Sequence, residues 1–322
     1  MGWHKQLKFV AILSVVFFCW QVGGKFAAAN EKTLIPMGHS ISIKMDLTGV
    51  FITNDLLLQN DEWLKAGDFI EKVNDSPIAD LTEFEAKLND FRTETSVKLQ
   101  LSRNNEPFEV EAEYEAVKRF LPFLRDSTEG TGTLTYVDPE KKVYGALGHQ
   151  IIDSSFKSPP SFKDGTIHLS AIDQIRKSSP GSPGYKISSV VKNAETLGTI
   201  QKNVVFGIFG AWQSNEQKIL SKPLQIMQKD RVKTGKAEIF TTVEGTEVES
   251  FSIEITSVEE DQFHFTLTDP VLLEKTGGIL QGMSGSPVIQ DGQFAGAVTH
   301  MFVDEPEKGA ALFLETMRDG EE

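Results

Sequence analysis

The run Gly282-Met283-Ser284-Gly285-Ser286-Pro287-Val288-Ile289, closed by Asp291-Gly292 and followed by Phe294-Ala295-Gly296-Ala297-Val298-Thr299-His300, constrains the fold more than any other stretch. Asp-Gly between two alternating apolar runs is a strong hairpin signal, so two paired strands follow a glycine turn. The glycines on both sides of Ser284 permit backbone conformations that a side chain forbids. Such a turn can push a hydroxyl outward and aim successive N–H groups at one point, where the oxyanion of an acyl transfer develops. A Gly/Ser loop in an ordinary β domain shares this local pattern, so the chemistry needs further residues.

The 322 residues suggest about two domains. A hydrophobic fraction of 39% with 24% charged residues fits a chain that can bury a core. The formal net charge of -14, without a lysine and arginine block, disfavours a nucleic-acid partner. The single cysteine, Cys19, lies in the N-terminal apolar segment, so the remainder has no disulfide and no thiol nucleophile. His39, His168, His264 and His300 show no metal-ligand spacing and His4 sits at the extreme N-terminus, so no metal and no cofactor is expected. Lys5 and Lys8, the apolar run Phe9 to Val22 and the small residues Ala27-Ala28-Ala29 read as an export signal over residues 1–29, or as a retained membrane anchor.

Residues 30–112 read as one small α+β domain. Ser40-Ile41-Ser42-Ile43-Lys44-Met45 alternates as a half-buried strand, and Thr82-Glu83-Phe84-Glu85-Ala86-Lys87-Leu88 reads as a helix with Phe84 and Leu88 on one face. The turn Ala66-Gly67-Asp68-x-Ile70, the helix after it and the early Pro36-Met37-Gly38-His39-Ser40-Ile41 segment resemble a PDZ domain of the bacterial exported-protease type. That resemblance implies a peptide added as a strand, its terminal carboxylate capped by a loop of Gly38, His39, Ser40 and Ile41. Residues 113–322 read as a second, strand-rich domain after a charged junction. Many short strands separated by turns suggest a barrel or sandwich.

A serine hydroxyl needs a base within hydrogen-bond reach, and the base needs an orienting partner. His149 ends the apolar strand Val143-Tyr144-Gly145-Ala146-Leu147-Gly148 and is the candidate base, although isolated histidines are often structural. For the acid, Asp269, Asp153 and Asp138 compete, because triad partners are neighbours in space and not along the chain. Ser286 is the rival nucleophile. His300 reads as a core or supporting histidine.

Gly130-Thr131-Gly132-Thr133-Leu134-Thr135, Lys142-Val143-Tyr144-Gly145-Ala146-Leu147-Gly148-His149, Phe206-Gly207-Ile208-Phe209-Gly210, Thr268-Asp269-Pro270 and Thr276-Gly277-Gly278-Ile279-Leu280-Gln281-Gly282-Met283-Ser284-Gly285-Ser286-Pro287 together resemble the sporulation protein IVB serine peptidase family. The resemblance implies a mainly β fold: a trypsin-like double β-barrel peptidase preceded by the PDZ domain. It implies Ser284 as nucleophile, His149 as base and Asp269 as acid. It places the oxyanion between the N–H groups of Gly282 and Ser284, and Val298 and Thr299 along the substrate. It also implies an exported endopeptidase that acts between the two membranes around a forespore. Such an enzyme cuts itself and a regulator of an intramembrane metalloprotease, and so promotes sigma-factor maturation. A non-catalytic PDZ adaptor and a general envelope quality-control protease are the competing readings.

Overall fold

The computed structural model describes residues 33–59, 61–152, 161–215 and 219–321. The expected leader, residues 1–29, and Asp153 lie outside them. Thr33–Pro36 (β1) and Ser40–Ile52 (β2) come first, followed by Phe69–Val73 (β3), the helix Leu81–Asp90 (α1), Ser96–Arg103 (β4) and Glu106–Glu113 (β5). A short helix, Tyr114–Phe120 (α2), leads to Leu124–Asp138 (β6), Val143–Ala146 (β7), Phe162–Arg176 (β8), Gly184–Val190 (β9), Thr196–Val204 (β10) and Gly207–Trp212 (β11). The last third holds Gly235–Thr242 (β12), Val248–Val258 (β13), Gln262–Leu267 (β14), Pro270–Thr276 (α3), Pro287–Gln290 (β15), Gln293–Phe302 (β16), Glu305–Phe313 (β17) and Leu314–Asp319 (α4).

Two barrels result. β6 pairs with β7, β7 with β11, β11 with β10, β10 with β8 and β8 with β2. β2 then returns to β6, so this ring of antiparallel strands closes. Ile41, Ile43, Leu134, Tyr144 and Ile167 fill its interior. The second barrel is the closed ring β12-β13-β14-β17-β16-β15, filled by residues such as Ile253, Phe263, Phe265 and Val298. Closure removes exposed sheet edges; strands such as β13 and β14 alternate buried and more exposed residues, whereas β15 and most of β16 are buried on both faces.

The α+β domain is nested rather than placed in front. Ile41 to Asp46 of β2 pairs with both β6 and β8, whereas Val50 and Phe51 pair with β3. The register breaks between Asp46 and Phe51, and Gly49 sits there at φ 104. The sheet continues from the end of β2 through β3 and β4 to β5. α1 covers it: Asp80 caps the helix by accepting from Glu83 N (2.9 Å), and Phe84 and Leu88 are buried four residues apart. Asp68, with its side chain 0% exposed, accepts from Nε and Nη2 of Arg103 at 2.7 and 2.8 Å and so fixes the Ala66-Gly67-Asp68 turn. That two-pronged pair raises the Arg103 pKa, chiefly through the hydrogen bond to Asp68.

Gly38, His39, Ser40 and Ile41 therefore do not line a peptide groove of this domain, contrary to the sequence expectation. Ile41 is paired with Gly132 on one side and Leu169 on the other, which leaves no edge for an added strand. Gly38 donates to Leu134 O at 2.9 Å and is wedged against the second barrel. A Cβ there would lie 2.8 Å from Val248 and 2.9 Å from Phe240. The alternation of Ser40 to Met45 is that of a barrel strand, and residues 33–47 belong to the barrel instead of the 30–112 unit.

Candidate active site

Two glycine turns meet where the barrels touch. In the first, Gly282 and Gly285 both adopt φ 94, a left-handed conformation open to glycine. A Cβ on Gly285 would lie 2.2 Å from Thr133 O and 2.6 Å from Leu147 N, so this turn packs backbone to backbone on the first barrel. Thr133 of β6 fastens it twice. Its N–H donates to Ser284 O at 3.1 Å and its hydroxyl donates to Gly282 O at 2.7 Å. Among the described residues nothing accepts from the Ser284 N–H.

In the second turn, Leu147 and Gly148 take φ 76 and 71 before His149. A left-handed leucine is strained by roughly 1–2 kcal/mol, and such strain gathers at functional sites. Gly148 lies on β16: a Cβ there would be 3.2 Å from Val298 O and 3.3 Å from Thr299 Cγ2. The structure thus brings the turns that carry Ser284 and His149 onto one strand. His149 is exposed and Ser284 half-buried. Nδ1 of His149 lies 2.8 Å from Gln150 O. A carbonyl only accepts, so Nδ1 is the nitrogen that donates here, and in the neutral ring Nε2 is then the atom with the lone pair a general base uses.

The nucleophile is turned aside. Ser284 Oγ donates to Thr299 O at 2.8 Å instead of to His149. The N–H of Val298 donates to Ser286 O and its carbonyl accepts from Gly285 N. Val298 can therefore form a wall of the site but has no backbone group left for a substrate on that side. Thr299 Oγ1 donates to Ala310 O at 3.1 Å, so it accepts from His300 Nδ1 at 2.9 Å. Burial, followed by the neighbouring His264 and His149, lowers the His300 pKa. Ser286, the rival nucleophile, is fully buried with no partner for its hydroxyl among the described residues, and is out of reach of a substrate.

The acid is not assembled with these two. The Asp269 carboxylate caps α3, accepting from Val271 N (3.0 Å), Leu272 N (3.1 Å) and, through Oδ2, Ser252 N (3.4 Å). Ser252 lies on β13, three strands from β16 in either direction around the second barrel. Asp138 is likewise spent on a turn, accepting from Glu140 N and Lys141 N.

Lys186 on β9 is the residue that sequence reasoning missed. Its stem runs along Gly282, where a Cβ would be 3.3 Å from Lys186 Cδ. The amine is buried and donates to Thr241 Oγ1 at 3.0 Å. Desolvation lowers its pKa to about 7.

Two family models match the chain. Residues 119–318 match the SpoIVB peptidase S55 family and residues 51–113 match the PDZ domain. No curated protein shows significant sequence similarity to the chain. Among solved structures, the Rv3671c protease of M. tuberculosis in its active form is 14% identical, covers 60% of this chain and 73% of its own, and has a TM-score of 0.36. The inactive form of the same protease is 15% identical, covers 59% and 82%, and has a TM-score of 0.36. With the family match spanning more than half of its length, the chain belongs to the SpoIVB peptidase S55 family and is a PDZ-containing serine peptidase.

Proposed function

We propose that this serine peptidase is an exported endopeptidase that cuts itself and a regulatory protein, and thereby signals across the space between two membranes during sporulation. The observation that carries the catalytic part is the shared strand: the Ser284 turn and the His149 turn both pack on Val298 and Thr299 of β16. The family pattern supplies the sporulation setting, and the basic and apolar N-terminal residues supply the export.

In this reading Ser284 Oγ leaves the Thr299 carbonyl, gives its proton to Nε2 of His149 and attacks the peptide carbonyl. The N–H groups of Gly282 and Ser284 hold the oxyanion, each donor contributing about 2.7–4 kcal/mol to the barrier reduction. His149 then protonates the leaving amine, and water repeats the sequence on the acyl-enzyme. Asp269 is the proposed acid, and its recruitment requires the start of α3 to leave Ser252 and move toward the His149 turn. The resting and working arrangements differ at Ser284 and Asp269. Val298 and Thr299 line the substrate, and the PDZ domain binds a peptide of the chain itself or of a partner.

The test is Ser284→Ala in purified protein, with the mature N-terminus read by mass spectrometry. Self-cleavage and cleavage in trans should both stop, and persistence of both overturns the assignment. The parked hydroxyl of Ser284 favours a second reading, a PDZ adaptor whose peptidase half only binds. Labelling by a fluorophosphonate that depends on Ser284 and His149 separates the two.

A further inference from the structure

The PDZ sheet has an edge at Ile52 that is already filled by the chain's own backbone. Ile52 pairs with Leu124 and Phe51 with Arg125, antiparallel, at the start of β6. Both the N–H and the hydroxyl of Thr53 donate to Phe123 O, at 2.9 and 3.0 Å. Leu124 is buried in the core of the PDZ domain, beside residues such as Val50, Phe84 and Leu99. Two residues on, and so on the same face of the strand, the Asp126 carboxylate accepts from Leu81 N at 3.1 Å, at the first turn of α1. A peptide bound by strand addition uses backbone pairing along an edge and side-chain pockets beside it, and an acid is favoured at a helix start.

We propose that Leu124 to Asp126 is a built-in occupant of the peptide site of this PDZ domain. Its replacement is an extended peptide with an apolar residue followed two positions later by an acid. This deepens the peptide-binding part of the proposed function and rests on that reading. β6 gives the exchange a route to the active site, because the same strand carries Thr133, which grips both Ser284 and Gly282. Pulling the first residues of β6 off the PDZ edge loosens the strand that fastens the nucleophile turn. The serine parked on Thr299 is then freer to turn toward His149.

The experiment uses the full chain and a fluorescent peptide of its own residues 121–128, Leu-Pro-Phe-Leu-Arg-Asp-Ser-Thr. The apparent affinity of an occupied site is reduced by the fraction of time the site is empty. Asp126→Ala removes a charge-assisted bond from the occupant, so peptide affinity measured by anisotropy should tighten roughly tenfold relative to the unaltered chain. A control peptide with glutamate for its second leucine and lysine for its aspartate should bind neither protein. Hydrogen exchange at the Thr53 and Leu81 amides should speed up in Asp126→Ala and slow again with peptide, a readout that also shows the variant is folded. Equal affinity for both proteins, no binding to either, or exchange at Thr53 that ignores the peptide each overturns the inference. Fluorophosphonate labelling of Ser284 in the same samples stands apart from these readouts. Its absence refutes the peptidase reading and leaves the binding result intact. A labelling rate that rises with peptide supports the route along β6, and a rate that does not change refutes that route.

Discussion

Replacing Lys186 by methionine should stabilise this protein in acid and leave it nearly unchanged in alkali. The Lys186 amine is buried, with Thr241 Oγ1 as its hydrogen-bond partner and no carboxylate within ion-pair distance among the described residues. Its pKa falls from 10.5 to about 7 on folding. The unfolded chain therefore holds a proton that the folded chain gives up between those two values. Stability contributed by this group is present above pH 10.5 and is lost as pH falls toward 7. At about 1.36 kcal/mol per pKa unit, the cost at pH 6 is roughly 5 kcal/mol. Methionine keeps the stem against Gly282 and removes the charge, but leaves the Thr241 hydroxyl without its donor, a loss of about 1 kcal/mol. The net gain is about 4 kcal/mol at pH 6 and close to zero at pH 10. Denaturant melts of both proteins across this range measure it. A gain that is the same at both ends, or a variant less stable than its parent at pH 6, would refute the reasoning.

His39, buried with no partner for Nδ1 among the described residues, has its pKa lowered to about 4 by desolvation. The protein should lose about 3 kcal/mol from this group as pH falls from 6.5 to 4, and His39→Leu should lose that acid sensitivity in thermal melts. Gly285→Ala forces a Cβ to within 2.2 Å of Thr133 O at a positive φ. It should cost about 3 kcal/mol in denaturant melts and abolish fluorophosphonate labelling, and a labelled, fully stable variant would contradict the packing described. Asp269→Ser keeps a capping oxygen on α3 but cannot ionise. Its melting should shift by less than about 1 kcal/mol while kcat collapses, and unchanged kcat would leave Asp269 a helix cap alone.

The second barrel and the nucleophile turn were legible because their signals are local. Asp291-Gly292 fixes a hairpin, and Gly282 and Gly285 mark positive φ. The PDZ insert was readable from Ala66-Gly67-Asp68 and the Phe84/Leu88 helix, but its start was not. Ser40 to Met45 alternates equally well as an outer strand of a small domain or as a barrel strand. What decides between them is the pairing of Ser40 with Thr133, a contact between distant parts of the chain. Lys186 was hidden for a related reason. Tyr185-Lys186-Ile187 reads as a strand with its lysine outward, yet Tyr185 and Ile187 are 37% and 41% exposed and Lys186 is 6% exposed. The strand turns its apparent polar face inward to lie along Gly282. Asp269 takes its proposed role from the family pattern, and its local setting, Asp before proline at a helix start, also announced the cap that the structure shows.

Nesting the PDZ domain between β2 and β6 also governs what a cut there would do. A nick in the loops between residues 53 and 123 leaves Ile41 to Asp46 laddered to β6 on one side and β8 on the other. The two pieces would separate on a denaturing gel and still migrate as one particle on a sizing column. Processing inside the insert would thus cut the tether on one side of the peptide-binding module without shedding it, and the protease would keep both halves of its first barrel.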